Sequence, residues 1–328
     1  MKSPSSQFDS KLFTYQIIKD NSIKKDQYCF VIAIKEDCSI VAVGCYNQIK
    51  IYEFKLGMIK QIQTLYQHNN EVFTLNFMKK SNQLISGDSG GSILIWSSHD
   101  NCQWNCSQII KEHSHYINCL ILNNNEDLFI SSSSDNTIKF WIKQNEWTCQ
   151  QTITDHTSYV FQLCLNEQQD KVISCGQDNR ILVIEYSEQS KMWIVIQNIK
   201  VDQQGYRLCF INDDLFTFQP RYGNMMHVYE MNSVSKQFTK TKNITINQGT
   251  DYWQLFSQQF IKEKQILVNK HKQCVNLIRK TENNGFNVEQ SIQFNTLSIF
   301  GQLSNDGQYL ITWDDQSKEI QIREYQPL

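Results

Sequence analysis

A chain of 328 residues is longer than one ordinary core supports, which leaves two domains or one large closed all-β architecture. Its 31 Lys+Arg against 33 Asp+Glu give a formal charge of -2, so no basic excess exists to hold a phosphate backbone, and nucleic acid is not expected as the main ligand. No window approaches the roughly 18 uninterrupted apolar residues of a membrane span.

Residues 1–10 are polar rather than charged-then-apolar, so the expected setting is intracellular, the cytoplasm before the nucleus. In that setting the 11 cysteines are expected as reduced thiols. Cys119, Cys164 and Cys209 sit in apolar alternation, as small core residues do. Cys102 and Cys106 lack a second pair at zinc spacing, so neither metal nor cofactor is expected. With only 12 Gly and 3 Pro, Asn and Asp are expected to serve many of the turns that need a left-handed backbone.

Residues 1–11 are expected to be a poorly ordered tail, and 13–18 alternate like a strand with no hairpin before them. From there a hairpin recurs. Its second strand closes at Tyr52, Trp96, Trp141, Ile184, Tyr229, Ile278 and Arg323, at spacings of 44, 45, 43, 45, 49 and 45 residues. That period suits a four-stranded propeller blade. The third unit is the fullest: a strand over 116–122, a polar turn at 123–127, a hairpin of Leu128–Ser133 and 137–143 turning at Asp135 and Asn136, and a fourth strand over Trp147–Ile153. A second marker keeps the same beat, because His68, His113 and His156 each stand 28 residues before Trp96, Trp141 and Ile184. The fourth strand repeats as well, with Trp104 and Trp147 each nine residues before the next histidine, which makes Cys106 and Cys149 equivalent.

The last hairpin lacks a fourth strand and the first strand lacks a hairpin. Residues 12–19 are therefore expected to complete the blade built by 295–326. The expected fold is a single all-β domain over 12–326, a seven-bladed β-propeller of four-stranded antiparallel blades closed by the N-terminal strand.

These residues resemble the WD40 repeat family, in which a histidine, a Ser/Thr, an Asp and a Trp form a hydrogen-bonded tetrad. By position the third blade carries all four, as His113, Ser131, Asp135 and Trp141. The fourth carries His156, Ser174 and Asp178, with Ile184 for Trp. The second carries His68, Ser86 and Trp96, with Gly90 where Asp is expected. The other blades match in strand pattern and period alone. His113, Ser131 and Asp135 also name the members of a nucleophilic triad, but no Gly-x-Ser-x-Gly elbow surrounds Ser131, and recurrence in three blades speaks for structure rather than catalysis.

The resemblance further implies that the histidine loops and aspartate turns open on one rim, the rim used for partners. Glu71, Tyr116 and Tyr159, each three residues after a histidine, are the candidate rim residues, together with Arg180, Arg221 and Tyr222. The implied function is a non-catalytic scaffold that holds proteins or peptides within a larger complex. A reader of a short or modified peptide at the central opening is the alternative, and an enzyme built on the ring is a third possibility.

Overall fold

The computed structural model describes residues 13–18, 22–24 and 27–328. Alternating apolar positions put one row of each strand against the neighbouring blade, so the chain folds into seven antiparallel sheets in sequence order. The third sheet runs Ile117–Leu122, Leu128–Ser133, Ile138–Lys143 and Trp147–Ile153, within a residue of the expected bounds. Its neighbours repeat the plan, and the described residues contain no helix.

The seven closing residues occupy one register position. Tyr52, Trp96, Trp141, Ile184, Tyr229, Ile278 and Arg323 lie opposite Val41, Leu84, Phe129, Val172, Phe216, Leu267 and Leu310, each the second residue of its blade's second strand. A β-bulge falls beside the closing residue in the first six blades, where the third strand pairs with the fourth. Residues 200–290 therefore hold two full blades, and the long spacing of 49 has a local origin: Phe238–Thr250 runs 13 residues and an irregular segment, 251–258, follows it.

Phe13–Ile17 pairs antiparallel with Glu319–Pro327, in register from Phe13 opposite Pro327 to Ile17 opposite Arg323. The ring closes as expected, with one addition: Ile23–Lys24 pairs with the start of the same last strand, so this sheet has five strands. Leu12, Lys19 and the tail 1–11 lie outside the described residues.

Between blades the fit is apolar. Leu84, Trp96 and Trp104 of the second blade share a core with Ile49, Ile51 and Leu65 of the first. Burial of such side chains, roughly 1.5–3 kcal/mol each, drives the stacking of sheets that share no backbone ladder. A polar device accompanies it on the outer strands. The Gln63 side chain accepts the Trp104 N–H (2.7 Å) and donates to its C=O (2.9 Å). The same pair of hydrogen bonds joins Gln108 to Trp147, Gln151 to Trp193, Gln197 to Phe238 and Gln290 to Tyr15. An amide matches both backbone groups at once, so one residue type ties five junctions.

Two expectations need correction. Cys29 and Cys45, directly opposed with Cα atoms 4.1 Å apart, are joined as a disulfide, so not every cysteine is a free thiol. Left-handed non-glycine positions include Asn101, Asn136, Asn179 and Asn284, but also Lys191, Lys236, Lys272, Lys318, Gln169 and Gln265. Asp is absent from that set among the described residues.

Candidate functional site

In the third blade, His113 leads into the first strand, Ser131 sits on the second, Asp135 in the following turn and Trp141 on the third. His113 Nδ1–H meets Asp135 Oδ2 at 2.6 Å, Nε2 meets Ser131 Oγ at 2.7 Å, and Trp141 Nε1–H donates to Ser131 Oγ at 2.8 Å. Every donor is used if the serine O–H points at Nε2, which assigns the proton on His113 to Nδ1. The fourth blade repeats this with His156, Asp178 (2.9 Å) and Ser174 (2.8 Å), and Ile184 simply fills the tryptophan's place in the core.

The second blade departs from expectation in a specific way. His68 Nδ1 meets Asp88 Oδ2 at 2.8 Å, so the carboxylate comes from two residues before Gly90. Asp88 Oδ1 then accepts the N–H groups of Gly90 and Ser92, both at 2.9 Å. A Cβ at Gly90 would lie 2.1 Å from Asn70 Nδ2, so a larger residue there would have to displace the exposed Asn70 side chain. His68 and Trp96 otherwise bind Ser86 as expected, at 2.7 and 2.8 Å. The seventh blade, where no tetrad was expected, holds a substitute: Arg323 donates to Thr312 Oγ1 at 2.9 Å and lies over the Phe294 ring at 5.2 Å. Thr312 stands two residues past the partner of Arg323, as Ser131 stands two past the partner of Trp141.

Burial works to raise the pKa of Asp88, Asp135 and Asp178, yet the paired histidine and the backbone N–H groups outweigh it and hold all three below the ordinary carboxylate range. The Asp–His–Ser order is that of a nucleophilic triad, but Ser86, Ser131 and Ser174 are fully buried. In two blades a tryptophan N–H also occupies the serine oxygen. A substrate has no approach to these hydroxyls.

The histidine loops and the turns between second and third strands share one face, as the antiparallel order requires. The C=O groups of Glu71, Tyr116 and Tyr159 accept from Ser89, Ser134 and Gln177 in those turns, which places the three residues equivalently. Glu71 is half-buried; Tyr116 and Tyr159 are exposed and are linked by His115, whose ring lies 4.4 Å from the first and 5.7 Å from the second. Arg180 begins the third strand of the fourth blade, half-exposed, and its charge helps to lower the Asp178 pKa. Arg221 and Tyr222 join a separate group, with the Arg221 guanidinium 5.6, 5.1 and 6.0 Å from the rings of Tyr206, Tyr222 and Tyr252. Tyr46, Tyr252 and His115 were not foreseen. Tyr46 stands where Ser134 stands in the third blade and was legible by that alignment; Tyr252 lies in a segment with no counterpart in other blades.

That segment fills the ring's centre on this face. Leu255 packs with Phe30, Phe73 and Phe300 from the first strands of the first, second and seventh blades. Gln254 Nε2 reaches Asn118 Oδ1 of the third blade at 3.4 Å. A buried cluster anchors it: Arg207 donates to Asp251 (2.7 Å), Trp253 O and Phe256 O (both 2.5 Å), and Lys270 donates to the other Asp251 oxygen. Behind the segment a cavity of about 320 Å³ remains, walled by Asn76, Cys119, Gln162 and Gln302 among others.

Comparison with known proteins agrees with this geometry. The family described as WD domain, G-beta repeat matches residues 59–97, 104–141 and 147–185, each stretch running from the fourth strand of one blade through the first three strands of the next, the second to fourth blades. The chain carries WD40 repeats. They lie within the seven-bladed propeller, and the two tetrads and the three-residue His156 set fall inside the matched stretches. A curated relative, "Pre-mRNA-processing factor 19" of Oryza sativa subsp. japonica, is 23% identical over 78 residues, which is 24% of this chain and 15% of that protein. The chain thus matches a small part of that relative's length.

Proposed function

We propose that this WD40 propeller is a non-catalytic ring that holds protein partners within a complex, on the face carrying Tyr46, Tyr116, Tyr159, Tyr222 and Tyr252. The observation that carries the proposal is the presence of these five tyrosines, each between 41 and 55% exposed, on one face of the ring, with Tyr222 and Tyr252 apart from Tyr116 and Tyr159, around a centre that the chain itself fills. Tyrosine offers a large area and one hydroxyl at low entropic cost, which suits an interface. The rim residues foreseen from sequence, Glu71, Tyr116, Tyr159, Arg180, Arg221 and Tyr222, belong to the same proposal.

The short match to a pre-mRNA-processing factor supports membership in a multiprotein assembly and no more, since it spans 78 residues. A cytoplasmic location and protein rather than nucleic acid as the ligand are part of the proposal, the latter supported by the formal charge of -2. The peptide-reader alternative loses its opening on this face, because Leu255 and Gln254 occupy it.

Affinity purification with mass spectrometry tests the proposal, comparing the native chain with the Tyr116→Ala/Tyr159→Ala double variant. The expected result is loss of the main partners with an unchanged melting temperature. An unchanged partner set on a folded variant overturns the tyrosine face.

A further inference from the structure

The charges of the fifth and sixth blades do not balance. Arg207 and Lys270 are fully buried against a single carboxylate, Asp251, itself 1% exposed. Arg207 spends all three of its nitrogens on Asp251, Trp253 O and Phe256 O, while the Lys270 ammonium makes one bond, to Asp251. Burial, the largest cause, pushes the Lys270 pKa down to about 8, with Arg207 acting the same way against the pull of Asp251. His271, fully buried next to Lys270, bonds Gly223 O through Nε2 at 3.1 Å and has no partner on Nδ1 among the described residues.

Arg221 stands directly over this cluster. Its C=O accepts the Asp251 N–H (3.0 Å) and its Nε–H donates back to Asp251 O (3.2 Å). The two terminal nitrogens make no hydrogen bond among the described residues, and Tyr206, Tyr222 and Tyr252 surround the guanidinium within 6.0 Å. Aromatic faces on several sides hold the fork in one orientation and thin the water around it, which strengthens any charge it meets. Half-exposed Lys272 packs over Gly249, the residue opposite Gly223 in the same blade. Arg207, Lys270 and Arg221 thus gather about the one carboxylate of Asp251, on a chain whose formal charge is -2.

We infer that Arg221, in its cage of Tyr206, Tyr222 and Tyr252, is the recognition site for an oxyanion on a partner peptide, either an acidic side chain or a phosphorylated one. A planar fork with two free N–H pairs accepts a carboxylate or phosphate in bidentate fashion, and the tyrosine hydroxyls can add donors to the same group. The buried excess of positive charge beneath it keeps the site attractive to anions while Asp251 holds the floor in place. This inference rests on the tyrosine face as the partner surface and names the chemistry of one end of it.

The test measures fluorescence anisotropy of the full chain with three labelled decapeptides: all-glutamate, all-glutamine, and a Gly-Ser peptide bearing two phosphoserines. The expected result is binding of the glutamate and phosphoserine peptides, weakening as salt rises, with no binding of the glutamine peptide. Preference between the first two tells which source supplies the oxyanion. Arg221→Ala should weaken binding at least tenfold, and Arg221→Lys should recover part of the loss, with the melting temperature of both held near native. Equal binding of the glutamine peptide, native affinity in a folded Arg221→Ala variant, or tighter binding of an oligouridylate of the same charge overturns the inference. Those outcomes leave the tyrosine face standing if Tyr116→Ala/Tyr159→Ala still loses its partners, and the two ideas fail separately.

Discussion

The second to fourth blades and the fifth to sixth blades share one backbone plan and hold it by different means. In the former, each blade is fastened by bonds within itself, His68 to Asp88, His113 to Asp135 and His156 to Asp178, with Ser86, Ser131 and Ser174 as the hubs. In the latter, no such chain exists among the described residues; Arg207 of the fifth blade grips Asp251 and the segment that leads into the sixth, and a run of amides links Thr217, Gln258, Asn269 and Gln219. The same register of Tyr229 and Ile278 results. Packing of the closing residue sets the blade, and the polar groups serve whatever else the blade must do. A local tetrad can recur because it needs only its own repeat, whereas the Asp251 cluster ties two blades and a channel-filling segment into one unit.

The largest effect expected from that difference is at Asp251. Asp251→Ala leaves Arg207 and Lys270 buried without a counter-charge, which costs on the order of 3–5 kcal/mol. Asp135→Ala removes one acceptor from the His113 ring and costs roughly 1–3 kcal/mol. Chemical denaturation of the two variants measures both; equal losses would mean that the Asp251 cluster is no more than another tetrad.

A smaller effect appears with acid. Asp88, Asp135 and Asp178 have folded pKa values below the ordinary carboxylate value of about 4. A depressed folded value means that the unfolded chain takes up protons first, so the stability these groups contribute is present above that ordinary value and is lost as pH falls through their folded values. Asp135→Asn/Asp178→Asn should therefore flatten the decline in stability below pH ~4, with blades three and four changing most in hydrogen exchange. An identical slope in the variant would remove these two carboxylates from the acid response.

The sequence made the regular region legible because its signals are local and repeat: the closing residues, the 28-residue histidine offset and the Trp-bearing fourth strands all survive in the structure. The N-terminal closure was legible from two incomplete ends of one pattern. What escaped depends on single residues far apart. Asp88 replaced the expected position 90 because a turn with Gly90 and Gly91 brings the preceding strand end to His68. Arg323 does a tryptophan's bonding with a different side chain. Arg207 and Asp251 are 44 residues apart, and Gln254 and Asn118 are 136 apart, with no repeat to announce either pair. Of the rim residues, Tyr116 and Tyr159 come together through His115, while Arg221 and Tyr222 gather around Tyr252, whose segment has no equivalent elsewhere in the chain.

The central claim, that partners dock on the tyrosine face over a filled centre, is tested most directly by site-specific photo-crosslinking in cells. A benzophenone side chain is placed at Tyr252 in one chain and at Val234, 90% exposed in the turn between the third and fourth strands on the opposite face, in another. The account expects partner adducts from position 252 and none of those partners from position 234. Adducts of the same partners from position 234 alone would contradict it.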